Sequence, residues 1–342
     1  MLNRRADRPR LSRVTRIVEW WDRRQVPLYV AAIILGGLVG SLAPAVAPAL
    51  TVAINPVLAL LLFATFLGVP LIEVGRSFRD IRFLGTVLAV NFVIVPLVVL
   101  GLSRFVADDR GLLLGVLLVL LTPCIDYVIV FTGLAGGAKA RLLAAAPLLM
   151  LLQIVLLPLY LLLFAGSAAV ELIDVEPFAE AFLMLIVAPL SAAAIVQAIA
   201  RRHRAGRAIE HVLASAMVPL MMLTLATVIG SQIAAVGGQA VALIRVVPIY
   251  AAFLVVMLFV GLAAGKAARL DPAGIRAVVF SGSTRNSLVV LPLALALPAP
   301  LEIAPLAIVT QTLVELVGMV VFVRLVPLLI RSGSGPVVTV LR

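Results

Sequence analysis

The feature that most constrains this chain is a succession of about ten apolar runs, each long enough to cross a bilayer as a helix of roughly 20 residues. Hydrophobic residues make up 63% of the 342 residues and charged residues 13%. Soluble domains carry about 25% charged residues. The sequence therefore predicts an all-α polytopic membrane protein. The predicted spans are roughly 27–45, 51–74, 83–105, 111–133, 140–165, 178–200, 209–232, 245–267, 272–297 and 302–330.

Basic residues collect in every second loop, and the loops between them are neutral or acidic. Such alternation follows the positive-inside rule and predicts a plasma-membrane protein with both termini in the cytoplasm. The same rule accounts for the net charge of +11, so we expect no nucleic-acid partner. The basic loop residues are Arg76, Arg79, Arg82, Lys139, Arg141, Arg201, Arg202, Arg204, Arg207, Lys266, Arg269 and Arg276, and the acidic ones are Glu171, Asp174, Glu176 and Glu302.

An acidic loop at 166–177 divides the ten spans into two sets of five. An odd number of spans per half makes the second half enter the membrane from the opposite face, which is the inverted-repeat layout of many secondary transporters. We therefore predict repeats at 27–166 and 177–330, with a cytoplasmic tail at 331–342. Residues 1–26 are rich in arginine and predict an amphipathic helix on the inner leaflet, the alternative being a basic tail without structure.

Two spans are interrupted at matching positions, the fourth of each half. Residues 121–127 contain Pro123, and residues 281–287 contain Ser281, Gly282 and Ser283. Irregular backbone at this depth must line a cavity or be buried in protein. The pattern predicts two broken helices that cross at a substrate site near the membrane midplane. The alternative for the first break is a packed helix that Pro123 merely kinks.

Three charged residues, Asp126, Arg285 and Glu315, lie near the middle of predicted spans. Isolated charges at this depth are costly, so each should face the protein interior, find a partner or become neutral. Asp126 and Arg285 are the natural pair, as a functional or a purely structural ion pair. Burial favours the protonated form of Glu315, which would act as a proton carrier or as a permanently protonated hydrogen-bond donor.

Several uncharged polar residues complete the predicted site. Cys124 is the only cysteine, and its sulfur is a soft ligand suited to metalloid centres. Thr122, Asn91, Ser283 and Asn286 are further substrate-binding candidates, the alternative being hydrogen bonds between helices. No phosphate-binding GxxxxGK[ST] motif is present. We expect a secondary transporter of a small molecule or ion, neither an enzyme nor an ATP-driven pump, with no cofactor.

The motifs resemble the bile acid:sodium symporter superfamily and, within it, the arsenite-efflux permeases. The permeases carry an Asn-aromatic pair followed by a proline in span 3, which corresponds to Asn91, Phe92 and Pro96 here. Their span 4 has a Pro-Cys followed by aliphatic residues, an aromatic residue, a leucine and a glycine, and the corresponding residues are Pro123, Cys124, Val128, Val130, Phe131, Leu134 and Gly137. Their Leu-Val-Glu-Val-like motif in span 10 corresponds to Leu313, Val314, Glu315 and Leu316. The resemblance implies ten spans, crossed broken helices, Cys124 as the ligand of trivalent arsenic and Glu315 as the membrane carboxylate.

Span 9 departs from both patterns. Arg285-Asn286-Ser287 stands where the permeases have two asparagines, an aromatic residue and a glutamate, and Ser281 and Arg285 stand where the sodium symporters have Glu and Gln. A guanidinium there would repel bound sodium. We predict efflux of a trivalent metalloid by proton exchange, with Asp126 as a second proton-coupling residue. The alternative is a proton- or sodium-coupled transporter of an organic or inorganic anion that binds to Arg285.

Overall fold

The computed structural model describes residues 20–21, 24–69, 79–125, 127–165, 180 and 182–330. Twelve α-helices account for most of these residues, and we number them in chain order. They are α1 Gln25–Leu42, α2 Ala47–Gly68, α3 Ile81–Ala89, α4 Val95–Ser103, α5 Arg110–Leu120, α6 Tyr127–Leu134, α7 Lys139–Ala165, α8 Ala188–Ala200, α9 Arg204–Ala267, α10 Pro272–Ser283, α11 Ser287–Leu295 and α12 Ile303–Leu329. π-helical turns at Val90–Ile94 and Leu183–Val187 join α3 to α4 and precede α8.

The membrane passages match the hydropathy pattern. Seven segments of the described chain are helical, long and apolar enough to cross a membrane. The shorter apolar helix α1 adds a passage, and the pairs α5–α6 and α10–α11 each add one that is interrupted near its middle. The protein is therefore an all-α polytopic membrane protein with two broken spans, as predicted. The predictions for the N-terminal helix, the acidic loop and the tail fall largely or wholly outside the described residues, so the division into repeats stays a prediction.

The seventh and eighth spans follow the prediction: Arg204–Ser231 and Val241–Ala267 are separate apolar segments, each long enough to cross a membrane. Both belong to α9, which has helical backbone over 64 residues, so no extended loop separates them. The stretch between them contains Gly237 and Gly238 and no proline or charged residue. The two halves nevertheless reach the same level of α12: Val228 lines a small void with Ile308, and the Tyr250 hydroxyl donates to the Ala307 carbonyl at 3.0 Å. In a straight helix residues 228 and 250 would lie about 33 Å apart, so α9 must bend back between them and cross twice.

The helices form two packing groups that meet near α9. In the first, α1, α2 and α8 pack against the N-terminal half of α9. In the second, α5 and α11 pack against α12, and α10 packs against the C-terminal half of α9, where Gly261 approaches Val279. The largest fully buried side chains include Arg285, Tyr250, Phe253 and Phe280, all in the second group. The second group therefore surrounds the largest buried polar side chain, that of Arg285.

Close contact between α1 and α9 depends on two glycines one turn apart. A Cβ on Gly36 would lie 2.4 Å from the Ala226 carbonyl oxygen, and one on Gly40 would lie 2.2 Å from that of Gly230. Small residues at this spacing allow helices to approach closely inside a membrane. We expect Gly36→Ala and Gly40→Ala each to lower the free energy of unfolding by about 1–3 kcal/mol, because the backbones must separate.

The neighbouring Gly37 provides a matched control, since its Cβ would meet only side-chain atoms, the nearest at 3.8 Å. Thermal melting of the purified variants in detergent measures the difference. Equal melting temperatures for Gly36→Ala and Gly37→Ala would contradict the close packing of α1 against α9.

Candidate functional site

Two membrane spans are interrupted in the middle of the protein. α5 ends at Leu120 and α6 begins at Tyr127, with Pro123, which has no N–H to donate, between them. α10 ends at Ser283 and α11 begins at Ser287, where the Asn286 side chain accepts a hydrogen bond from Val289 N at 3.3 Å. Asn286 is thus an N-cap, which explains why the second interruption needs no proline.

The two interruptions cross and pair through their backbones. Cys124 N donates to the Thr284 carbonyl at 3.2 Å, and Asn286 N donates to the Thr122 carbonyl at 2.8 Å, on either side of an antiparallel bridge between Pro123 and Arg285. Thr122, Cys124 and Thr284 are fully buried. The pairing supplies partners for backbone groups that the broken helices leave free, as membrane depth requires. We call residues 122–124 and 284–286 the crossover.

Glu315 of α12 lies against the crossover and is only 1% exposed. Its carboxyl group receives a hydrogen bond from Arg285 N at 2.8 Å and from Gln311 Nε2 at 2.6 Å, and it contacts the Tyr127 hydroxyl. The sequence singled out Glu315 without assigning these partners to it. Gln311 stands one helical turn before Glu315, so its contact could have been predicted, whereas the contact with Tyr127 depends on the crossing of the broken spans.

The Tyr127 hydroxyl has one proton to donate, but it contacts two oxygen atoms of other residues. Its oxygen lies 2.9 Å from the Arg285 carbonyl oxygen and also contacts Glu315 Oε1. A carbonyl and a carboxylate can both only accept. With an ionised Glu315, the hydroxyl could donate to only one of the two oxygens. With a protonated Glu315, the carboxyl group donates to Tyr127, and Tyr127 donates to the carbonyl, so both contacts are hydrogen bonds. The geometry thus fits a neutral Glu315 in this conformation.

The guanidinium of Arg285 is fully buried and surrounded by oxygen atoms. Nη2 donates to Asn91 Oδ1 at 2.8 Å and to the carbonyls of Ser281 and Gly282 at 2.7 and 2.8 Å. Nη1 donates to the Leu120 carbonyl at 3.4 Å, which is a weak bond. Both terminal nitrogens therefore donate to the protein itself, whereas Nε has no partner among the described residues.

The predicted partner of Arg285 lies outside the described residues, so the Asp126–Arg285 pair stays a prediction. Within the described chain no carboxylate oxygen lies within 4.0 Å of the guanidinium. Its carbon atom lies 5.5 Å from the centre of the Phe253 ring, within the range of a cation–π contact. Sequence reasoning missed Phe253, which is one of many aromatic residues in apolar spans.

Asn91 connects α3 to the crossover. It lies in the π-helical turn at Val90–Ile94, a feature common at functional sites. Its Nδ2 atom donates to Ser281 Oγ and to the Val87 carbonyl, both at 3.0 Å, while its oxygen accepts from Arg285. The amide therefore orients the Arg285 side chain and the last turn of α10.

Several buried polar atoms at or beside the crossover have no hydrogen-bond partner. Ser283 Oγ, Arg285 Nε, Asn286 Nδ2 and Gln311 Oε1 are buried and have no hydrogen-bond partner among the described residues. Buried polar atoms are costly to leave unpaired, so these four atoms are free to bind a small polar solute or water. The Thr122 hydroxyl, in contrast, donates to the Leu118 carbonyl at 2.8 Å. Of the predicted substrate-binding residues, Thr122, Cys124, Ser283, Arg285 and Asn286 come together here, and Asn91 reaches them through Arg285.

Two cavities lie along α2, and the first of them adjoins the crossover. One of about 250 Å³ is lined by Thr65, Ile125, Tyr127 and Met217, among others, between the two packing groups. Another of about 370 Å³ is lined by Asn55, Glu180 and Leu295, among others. The first is lined by the C-terminal end of α2 and the second by Asn55 in its N-terminal half, so the two cavities border different halves of α2.

Crossed discontinuous helices in a polytopic bundle, with a buried polar centre beside a cavity, are the architecture of a secondary transporter. The model of the Sodium Bile acid symporter family matches residues 55–239, just over half of the 342 residues. The chain belongs to this family of membrane transporters, and its substrate is an ion or a small molecule. No curated protein gave a significant match to the chain.

Proposed function

We propose that this protein exports a trivalent metalloid, arsenite, in exchange for protons. The observation that carries the proposal is the position of Cys124, the only thiol of the chain, at the crossover and beside a cavity-lining residue, Ile125. Trivalent arsenic is a soft centre that prefers sulfur ligands. Cys124 is fully buried in this conformation, so the solute must reach it when the packing groups move apart.

One thiol supplies only part of a metalloid's coordination. The described residues contain no cluster of three or more His, Cys, Asp or Glu side chains that could hold a metal ion. The remaining ligands are hydroxyl groups or water, and Ser283 is the best candidate because its oxygen is buried and unpartnered. Thr122 would first have to release the Leu118 carbonyl.

Glu315 is the proposed proton carrier, and Asp126 is the proposed second titrating group. Protonated Glu315 fits both contacts of Tyr127, as argued above, and Tyr127 lines the 250 Å³ cavity. A proton can therefore pass between cavity and carboxyl group through a single hydroxyl. Loss of the proton removes the donor of one hydrogen bond and leaves a buried charge, so the two protonation states favour different arrangements of the crossover.

An anion transporter with Arg285 as receptor is less well supported. Bidentate binding of a carboxylate or oxyanion needs free N–H groups on one edge of the guanidinium. Here Nη2 donates to three protein oxygens and Nη1 weakly to the Leu120 carbonyl, which leaves Nε as the nitrogen without a partner, and the guanidinium is 0% exposed. An anion would have to displace these contacts.

We propose a plasma-membrane location with both termini in the cytoplasm, based on the distribution of basic loops. Exposed Ala107, between α4 and α5, should then face outside, and exposed Ala205, at the start of α9, should face the cytoplasm. In a Cys124→Ser background, an impermeant thiol reagent added to intact cells should label Ala107→Cys and spare Ala205→Cys. Labelling of Ala205→Cys alone would reverse the orientation.

Everted membrane vesicles test the substrate and the coupling together. With an acid interior, the protein should drive arsenite uptake in the absence of sodium, and uptake should stop when the pH gradient is collapsed. Uptake of a carboxylate or oxyanion without uptake of arsenite would favour the alternative. Uptake of neither would refute the proposed function.

A further inference from the structure

The oxygen atoms around the Arg285 guanidinium come mainly from the C-terminal ends of two broken helices. Leu120 is the last residue of α5, and Ser281 and Gly282 lie in the last turn of α10. Carbonyls in a last turn have no partner within their own helix. A helix C-terminus carries about −0.5 elementary charge, so the two ends together offset about one positive charge.

This set of ligands has the chemistry of a monovalent-cation site. All four contacted atoms are oxygens: three backbone carbonyls and the side-chain amide oxygen of Asn91, at 2.7–3.4 Å from the guanidinium nitrogens. Leu120, Asn91 and Ser281 are fully buried, as is Arg285 itself. Half-helix C-termini and carbonyls near them coordinate small cations in transporters with discontinuous helices.

We infer that Arg285 is a built-in cation: its guanidinium fills a monovalent-cation site formed by the ends of α5 and α10 and takes the place of an exchangeable ion. The charge is covalently attached, so it cannot be taken up or released during transport. Its backbone N–H also binds Glu315 at 2.8 Å, which joins the cation site to the carboxyl group in one residue.

Two consequences follow from this arrangement. Sodium should neither stabilise the wild-type protein nor drive transport, because the site is already occupied. Removal of the side chain by Arg285→Ala should leave a buried, dry set of oxygens with an uncompensated negative potential. A soluble cation of matching charge should bind there, and guanidinium should bind best because it reproduces the lost group.

Thermal melting of the purified protein in detergent tests the inference without reference to any substrate. Melting is compared in choline chloride, sodium chloride and guanidinium chloride at equal, non-denaturing millimolar concentration. We expect Arg285→Ala to melt below the wild type and to gain about 2 °C when guanidinium is tenfold above its dissociation constant. Sodium should give a smaller gain, and the wild type should respond to neither cation.

Arg276→Ala is the matched control. Arg276 also donates to carbonyls at helix ends, those of Ala135, Gly136 and Ile330, but it is partly exposed. Water can replace its guanidinium, so this variant should gain no stability from either cation.

A failure of Arg285→Ala to respond to both cations would overturn the inference, as would stabilisation of the wild type by sodium. If Arg285→Ala cannot be purified, Arg285→Lys serves instead. An ammonium group keeps the charge, so this variant should fold and remain insensitive to sodium. Stabilisation of Arg285→Lys by sodium would show that the site takes its cation from solution, against the inference.

Discussion

Cys124→Ser should abolish arsenite resistance in a sensitive bacterial host, bringing growth down to that of cells without the protein. Serine keeps the size and the hydrogen-bonding capacity but removes the soft sulfur ligand. The crossover should survive the change, because Cys124 pairs with Thr284 through its backbone N–H. The measurement is growth against arsenite concentration at matched protein levels in the membrane.

Ser103→Ala gives a control of similar size. Ser103 is also buried, at 2% exposure, but lies at the end of α4, where its hydroxyl donates to the Leu100 carbonyl. This variant should retain resistance. Resistance that persists in Cys124→Ser would remove the thiol from the mechanism and leave the substrate open.

Glu315→Gln should eliminate arsenite uptake driven by a pH gradient while leaving arsenite–arsenite exchange intact. Glutamine imitates the protonated acid, so it can still donate to Tyr127 and accept from Arg285 N, but it cannot release a proton. Uptake into everted vesicles should fall to the level of vesicles without the protein. Exchange of labelled for unlabelled arsenite should continue, because it requires no net proton transfer.

Glu302→Gln is the matched control, since Glu302 precedes α12 and is exposed. It should transport as the wild type does. If Glu315→Gln still couples uptake to the pH gradient, another group carries the proton, and Asp126 would be the next residue to test.

Hydropathy and charge were enough to predict the membrane passages and the two broken spans. Pro123 marked one break and the Ser-Gly-Ser run 281–283 marked the other, because both disfavour regular helix at a depth where most residues are apolar. The seventh and eighth spans followed from the same pattern, since Gly237 and Gly238 separate two apolar stretches. The sequence did not show that helical backbone continues through the reversal of α9 between Ser231 and Val241.

The partners of the buried charges were harder to predict. Sequence reasoning assigned Arg285 to Asp126 on the principle that a buried charge needs an opposite charge. The structure provides carbonyl oxygens at the ends of α5 and α10, and these become ligands only when the two broken helices meet. Tyr127 and Phe253 carried no comparable signal, because aromatic residues in membrane spans are usually packing residues.

Proton movement in proteoliposomes that contain only the purified protein tests the central claim most directly. The liposomes enclose arsenite and a pH-sensitive dye in a sodium-free buffer and are diluted into medium without arsenite. The account predicts that arsenite leaves, that the interior acidifies as protons enter in exchange, and that Glu315→Gln abolishes the acidification. Arsenite efflux without a pH change, or acidification that requires sodium, would contradict it.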